Sequence, residues 1–408
     1  MQRSTNIVIA GAGISGLTTA LALSALGFRS TIIDPAKSLP TRLRAFDGRA
    51  YAISQASQKL LEVLGVWQSL ADNVTPIREI KVSSGEYGKG ALPFFAHFDP
   101  AEIGDANLGH MVEERHLISA LAKATKSDGS IDTILDARLE KTFDAEDGVA
   151  LKLSNSSEIH TSLLIGADGR RSKIPDDLNM QKLEWAYPQA AIVCAVEHED
   201  PHHGIAHQFF APDGPLAILP LGTHLSSLVW TAEKERVEHL SKLSDTEFLS
   251  ALRPAFGDFL GNLTLIGKRF HFPLALSLVY QPTRAHVALL GDAAHGIHPL
   301  AGQGLNLGFG DIASLVEVLA LAKRRGEDFT KASVLKRYAT QRRAEITAMG
   351  AATDGLNKFF STAFGAPSFL PQFGTAIAQG SPFLRKLMMQ NASGTSGNQP
   401  KLLRGILP

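Results

Sequence analysis

Three short stretches of the chain hold residue types able to grip a large anionic ligand. Gly11, Gly13 and Gly16 form a GxGxxG pattern, with Ala12, Ile14 and Ser15 between them. The pattern follows the apolar run Asn6–Ala10 and opens an Ala- and Leu-rich helical stripe, Ile14–Leu26, that Gly27 stops. The β-branched run Ser30–Asp34 comes next and ends in an acid, so the segment predicts a βαβ opening. Glycines at these positions permit a tight turn and close approach of backbone to a pyrophosphate. Its charge would face the free N–H groups of a helix start, and Asp34 would take ribose hydroxyls.

The second stretch, "LLIGADGRRSKI" (163–174), is a strand ending at Asp168 and Gly169, with Arg170 and Arg171 beyond. Asp-Gly is also ordinary turn chemistry. The third, "VALLGDAAHGIHPLAGQGLNLGFGDIASLVEVL" (287–319), leaves an apolar strand at Gly291 and Asp292. It then runs through two histidines, a proline and a Gly302–Gln303–Gly304 turn into a helix beginning near Leu305. Asp292 is suited to accept hydrogen bonds from sugar-alcohol hydroxyls, and the helix start to stabilise negative charge on a reduced ring. His295 and His298 stand three apart, a spacing metals can use. No cysteine or third histidine lies near them, and no metal site is expected.

The elements that must position these loops alternate in kind. Helices are expected over Ser54–Leu64 and Glu113–Lys123, near 244–256 and over most of 303–362. Strands are expected within Ile77–Phe98, near 131–137, 148–153, 159–165 and 264–271, in several alternating stretches of 189–232, and at Ala285–Leu290. An α/β layer therefore opens the chain and returns near 285 with a β-rich insertion between. A chain of 408 residues is long enough for more than one core. The expected division is a cofactor domain of 1–75, 101–175 and 285–355, an inserted domain of 76–100 and 176–284, and a helical region of 356–408.

Lys plus Arg equals Asp plus Glu at 40 each, so no broad basic field exists to gather nucleic acid. The single cysteine, Cys194 in "AAIVCAV", excludes an internal disulfide framework and reads as a small buried hydrophobe. No uninterrupted apolar run reaches the length of a membrane span, and the first apolar run ends in a glycine loop rather than a cleavage site. A cytoplasmic protein is expected, or one peripheral on the cytosolic face of a membrane.

Taken together, GAGISG with Asp34, the Asp168–Gly169 loop and "GDAAHGIHPLAGQGLNLG" resemble the FAD-dependent aromatic hydroxylases, single-component flavoprotein monooxygenases related to p-hydroxybenzoate hydroxylase. "HPLAGQGLNLG", "DGRAYAIS" (47–54), "EERHLISAL" (113–121) and "KLLRGILP" resemble the ubiquinone-biosynthesis branch. The resemblance implies an α/β chain: a Rossmann-like FAD-binding domain, an inserted β-sheet substrate domain and a helical C-terminal region. It implies that the glycine turn receives the FAD pyrophosphate and that Arg49 and Arg115 contact the phosphate–ribityl region. Gly291 and Asp292 would bind the ribityl chain. Pro299, Gly302, Gln303, Gly304, Leu305 and Asn306 would line the isoalloxazine, and Asp168 with Gly169 would serve both FAD and a nicotinamide.

With one GxGxxG, NAD(P)H is expected as a transient reductant at the same site. The implied reaction is hydroxylation of a phenolic ring by O2 through a flavin C4a-hydroperoxide, the substrate being a polyprenylated phenol. His298 is the candidate proton relay. Phe359–Met389 is a candidate contact with lipid or a partner protein, the other reading being helices packed on the FAD domain. Rival functions are a reductase or oxidase of the same fold and a non-enzymatic carrier of prenylated proteins. Halogenases fit less well, because Trp67, Trp185 and Trp230 stand far apart.

Overall fold

The computed structural model describes residues 3–86, 90–91, 96–211, 214–296, 303–363, 385–386, 388–390, 393–394 and 397–408. Five segments run parallel in one sheet, in the spatial order Ile131–Ile134, Ser30–Ile33, Arg3–Ala10, Glu158–Gly166 and Val287–Leu289. Their central members are buried on both faces. Ile7 and Ile9 pack toward the helices Ile14–Ser24, Glu114–Ser127 and Gly304–Arg324, while Val8 joins Leu164, Val287 and Leu289 on the other side. Continuous apolar runs are what a strand covered on both faces requires. A hairpin, Leu139–Ala145 with Gly148–Leu153, extends the sheet antiparallel to the early part of Glu158–Gly166.

Register makes the strand ends flush. Ala10 pairs with both Ile33 and Gly166, and Gly166 pairs with Leu289. The turns that follow all leave the sheet along one edge.

The second sheet is mostly antiparallel. It runs from His295–Gly296 through Leu263–Val279, Lys182–His198, Leu225–Glu233, Gly214–Leu221 and Ile205–Ala211 to Glu79–Glu86. One face carries Ile192, Cys194, Val196, Leu216, Ile218, Leu228 and Trp230 under the helices Lys234–Lys242 and Asp245–Phe256. Cys194 is thus the buried hydrophobe expected, and burial pushes its thiol up to about 12. On the opposite face Val193, Val229, Ala217 and Gln208 stand directly across from one another on four strands, and all four are half-buried.

Three elements differ from expectation. The helix Lys234–Lys242 is too polar to announce itself, burying only Val237 and Leu240. Leu139–Ala145 buries Thr142 alone, so alternation gives no signal. Leu263–Val279 runs well past 271, carrying Pro273 in register opposite Ala190, while the shift near Ala186–Ala190 takes up the extra residues around Pro188 of the partner strand. A fourth point corrects the reading of membrane length. The helix Gly304–Arg324 is long and apolar enough to span a bilayer, but most of it is buried against the first sheet and its neighbouring helices.

The end of the chain folds back on the first domain. Leu402 and Leu403 are buried in its core, the Ser393 carbonyl accepts from the Ala56 amide at 3.1 Å, and Arg385 lies 3.2 Å from Glu102. Within Phe359–Met389 the described side chains are few: Met389 is buried and Met388 exposed.

Candidate functional site

The parallel strands deliver three acids and a glycine turn to one edge. Gly11, at φ +104°, closes the first strand, and its amide donates to the Ile33 carbonyl at 2.8 Å. A side chain on Gly16 would lie 1.9 Å from the Gly11 carbonyl oxygen, so the helix start abuts the turn. Gly13, by contrast, is exposed with nothing within 4 Å of where a side chain would point. It caps a helix that has no side-chain cap and no acid in its first turn. Ile14 is buried and Ser15 half-buried behind it. The helix-start N–H groups are thus left without protein partners at a face open to a ligand, the arrangement that receives a phosphate.

Asp34 stands on the next strand end. Its carboxylate accepts from the Ala12 amide at 2.7 Å and the Ala36 amide at 2.8 Å, tying the turn to the second strand. Asp168 follows the strand Glu158–Gly166 and leads into Gly169 at φ +82°. The residue as a whole is exposed, yet enough protein surrounds its carboxyl that desolvation raises it to about 6 against a hydrogen bond from Ser172. Arg170 from this loop packs over Gly296, where a side chain would meet its Nε at 3.1 Å.

Asp292 is exposed just past the third strand end, while Gly291 is buried at φ +52°. Added side-chain atoms at Gly291 and Gly308 would lie within 3.3–3.6 Å of Ser15 Oγ, so all three elements meet at bare backbone. The helix Gly304–Arg324 has no side-chain cap and no acid in its first turn, and among the described residues nothing lies within 4 Å of a side chain at Gly304. Gln303, Leu305 and Asn306 are half-buried beside it. Asn306 is fully engaged: its Oδ1 accepts from the Ser54 amide and the Ser57 hydroxyl, and its Nδ2 donates to the Ala52 carbonyl. His298, Pro299 and Gly302 lie outside the described residues.

The two arginines of the flanking motifs are held by carboxylates. Arg49 donates from Nη2 to Asp47 at 2.7 Å, pairs with Glu114 at 2.8 Å through Nη1, and lies over the Phe270 ring. Arg115 pairs with Glu113 and lies over Phe46. Burial raises the Glu114 carboxyl despite the Arg49 charge, and Tyr51, whose hydroxyl donates to Glu114 at 3.5 Å, is driven well above its ordinary value by burial first and then by Glu114. The Asp292 charge acts on Tyr51 too, which brings the 47–54 and 291–292 segments together.

Two further residues escaped the sequence reading. Asp311, fully buried in the 304–324 helix, accepts from the Gly291 amide at 3.0 Å and pairs with His295 at 2.5 Å and Arg342 at 2.8 Å. An acid three residues after Gly308 and ahead of the apolar run in "GFGDIASLVEVLALA" was the available signal.

A parallel sheet with a glycine turn, uncapped helix starts and acids along one edge defines a dinucleotide-binding α/β protein with an appended antiparallel domain. The model of the FAD binding domain family matches residues 4–353, and the chain belongs to that family. It is 35% identical over 408 residues to a ubiquinone hydroxylase, UbiL, of Rhodospirillum rubrum, covering 99% of this chain and 94% of that one. It is 33% identical to the 3-demethoxyubiquinol 3-hydroxylase of Escherichia coli, covering 96% and 99%. Among solved structures, p-nitrophenol 4-monooxygenase PnpA from Pseudomonas putida superposes with a TM-score of 0.78 at 17% identity, over 98% of this chain and all of that one. That likeness shows the Rossmann-like fold with a second sheet domain.

Proposed function

We propose that the chain is an FAD-dependent aromatic hydroxylase that uses NAD(P)H and O2 on a prenylated phenol of ubiquinone biosynthesis. The observation that carries the reading is the convergence of Gly13, Asp34, Asp168, Asp292 and Gly304 on one sheet edge, opposite the half-buried face of the second sheet. The residues fit FAD. The open face at Gly13 suits a pyrophosphate, Asp34 an adenosine ribose, Asp292 the ribityl hydroxyls, and the bare backbone at Gly304 a flat ring. Arg49 and Arg115 stand beside the phosphate–ribityl region in this reading. When bound, FAD supplies the redox chemistry, taking electrons from the nicotinamide and passing one oxygen atom of O2 to the substrate.

The chain's own part is binding, orientation and exclusion of water. Val193, Val229 and Ala217 form an apolar wall, and Val229 packs against a cluster of Tyr187, Ala191, Leu274, Leu276 and Leu307, the last on the 304–324 helix. Gln208 is the polar member of that row and is suited to hydrogen-bond a ring hydroxyl. Uncapped N–H groups at Gly304 favour negative charge at the ring edge. We also assign 1–75, 101–175 and 285–355 to the FAD domain, and 76–100 and 176–284 to the substrate domain, as sheet membership supports. A hydrophobic prenyl tail would bring the working enzyme to the cytosolic face of a membrane, with Phe359–Met389 as the contact segment.

The test is purified protein reconstituted with FAD and supplied with NAD(P)H, O2 and a short-chain prenylated phenol. The reading requires yellow protein, reductant-driven oxygen uptake, and a product one oxygen heavier in amounts matching the uptake. Hydrogen peroxide formed without hydroxylated product would make it an oxidase, and colourless protein would sink the flavin assignment.

A further inference from the structure

The 304–324 helix carries one buried acid amid apolar residues, and that acid holds three elements together. Burying a carboxylate is unfavourable unless its charge is matched and its oxygens are filled. Asp311 meets both conditions. One oxygen accepts from Arg342 Nε at 2.8 Å, and the other from the Gly291 amide at 3.0 Å and His295 Nε2 at 2.5 Å. The helix is cut away to admit the guanidinium, since a side chain on Gly310 would lie 2.6 Å from Arg342 Nη2. Arg342 also donates to the Leu307 carbonyl and pairs with Glu345. One turn before it, the Tyr338 hydroxyl donates to the Leu289 carbonyl at 2.8 Å. The Leu289 end of the segment 289–295 is therefore held by the helix Ala332–Ala363, and Gly291 and the His295 end by the helix Gly304–Arg324, with Asp292 between. His295 is also the first residue of the edge strand paired to Leu278 in the second sheet, and its buried Nδ1 has no partner among the described residues.

We infer that Asp311 is a positioning residue of the cofactor site: through Gly291 and His295, with Arg342 as counter-charge, it fixes the turn that carries Asp292. The inference rests on the FAD reading above. Burial works to lower the His295 pKa, but the Asp311 charge and hydrogen bond outweigh it and raise the value; Arg342 opposes this and Asp292 assists it. Asp311 itself is held below the usual carboxylate range by His295 and Arg342 despite burial. The groups facing the imidazole and its partner are Asp311, Arg342, Asp292 and Tyr338.

The experiment is fluorescence titration of apoprotein with FAD across pH for the wild type, Asp311→Asn and His295→Gln, with thermal unfolding of each apoprotein alongside. Asp311→Asn keeps the shape and loses the charge. It should bind FAD about 10- to 100-fold more weakly, the loss expected for one charged hydrogen-bonding group. Wild-type affinity should fall as pH rises above the ordinary imidazole range, where the His295–Asp311 ion pair is lost. The glutamine in His295→Gln can still donate to Asp311 but is never charged, so that step should vanish and its affinity should sit at the wild type's high-pH value at every pH. A merely structural role would leave no such step to remove. Wild-type affinity in Asp311→Asn, or the same pH step in His295→Gln, overturns the inference. Should Asp311→Asn fail to fold, the pH profile of His295→Gln decides alone. Failure of the wild type itself to bind FAD would instead strike the parent reading.

Discussion

Asn306 holds Ser54 across most of the chain: its Oδ1 accepts the Ser54 amide proton at 3.0 Å while its Nδ2 donates to the neighbouring Ala52 carbonyl at 2.9 Å. Ser54 is also the N-cap of the helix Gln55–Val63, accepting from the Ser57 amide. One amide side chain thus ties the strand Ala50–Ile53 of "DGRAYAIS" and the following helix to the start of the 304–324 helix. In the proposed FAD site Asn306 would stand beside the ring, and its hydrogen bonds give it the further work of spacing the two motifs.

Asn306→Ala should therefore destabilise the apoprotein, leaving a Ser54 amide, a Ser57 hydroxyl and the Ala52 carbonyl without their partner. A loss of about 1–3 kcal/mol is expected, read from urea unfolding. Apoprotein stability equal to wild type would show that water replaces the amide without penalty.

Glycine substitutions should separate folding from binding. Gly16→Ala drives a side chain into the Gly11 carbonyl and should cost at least about 3 kcal/mol, giving little soluble protein. Gly304→Val meets nothing within 4 Å among the described residues, so the fold should survive. Ring seating should suffer instead, with retained FAD and hydrogen peroxide released in place of product. Comparing oxygen consumed with product formed measures this, and unchanged stoichiometry would move the ring elsewhere.

Asp34→Ala removes the acceptor for the Ala12 and Ala36 amides and should weaken FAD binding about 10-fold. The absorption spectrum of the flavin that remains bound should not change, because adenosine is distant from the ring. A shifted spectrum would contradict that orientation.

Asp168 provides a pH signature. Its carboxyl is raised to about 6, so the folded state holds a proton that the unfolded chain has released. Wild-type stability should therefore fall relative to Asp168→Asn as pH rises from about 4 to 6, with the difference constant above that. Unfolding temperatures of both proteins at stepped pH test the sign. A gap that widens toward acid would mean that the carboxylate, rather than the acid, is favoured by the fold.

What could be read from sequence was whatever the chain states locally. Apolar runs ending at Asp34, Asp168 and Asp292 announce buried strands with functional ends, because strand and acid are adjacent. Asp311 and Arg342 could not be matched by eye, since a helix and a loop separate them and many acids and arginines offer equivalent pairings. The helix 234–242 was hidden by its polarity, and the extent of the strand 263–279 by Pro273, which the strand carries in register opposite Ala190. The carboxylates gripping Arg49 and Arg115 lie one or two residues from these arginines or their motifs; their partnership is set by strand and helix geometry rather than by spacing.

The chain leaves the first sheet at Leu289 and has joined the second by His295. An extended segment of that length spans roughly 20 Å at most, and a turn at Gly291–Ala293 shortens it further. The two sheets are therefore joined by a tether with no slack. Adding a single residue would invert which side of the edge strand His295 presents, because strand side chains alternate with a period of two. A relative of this chain adapting to a bulkier ring has little freedom to spread the sheets apart here. It must carve its space from the side chains of the Val193–Gln208 row, so differences in substrate among such chains should be written on that wall.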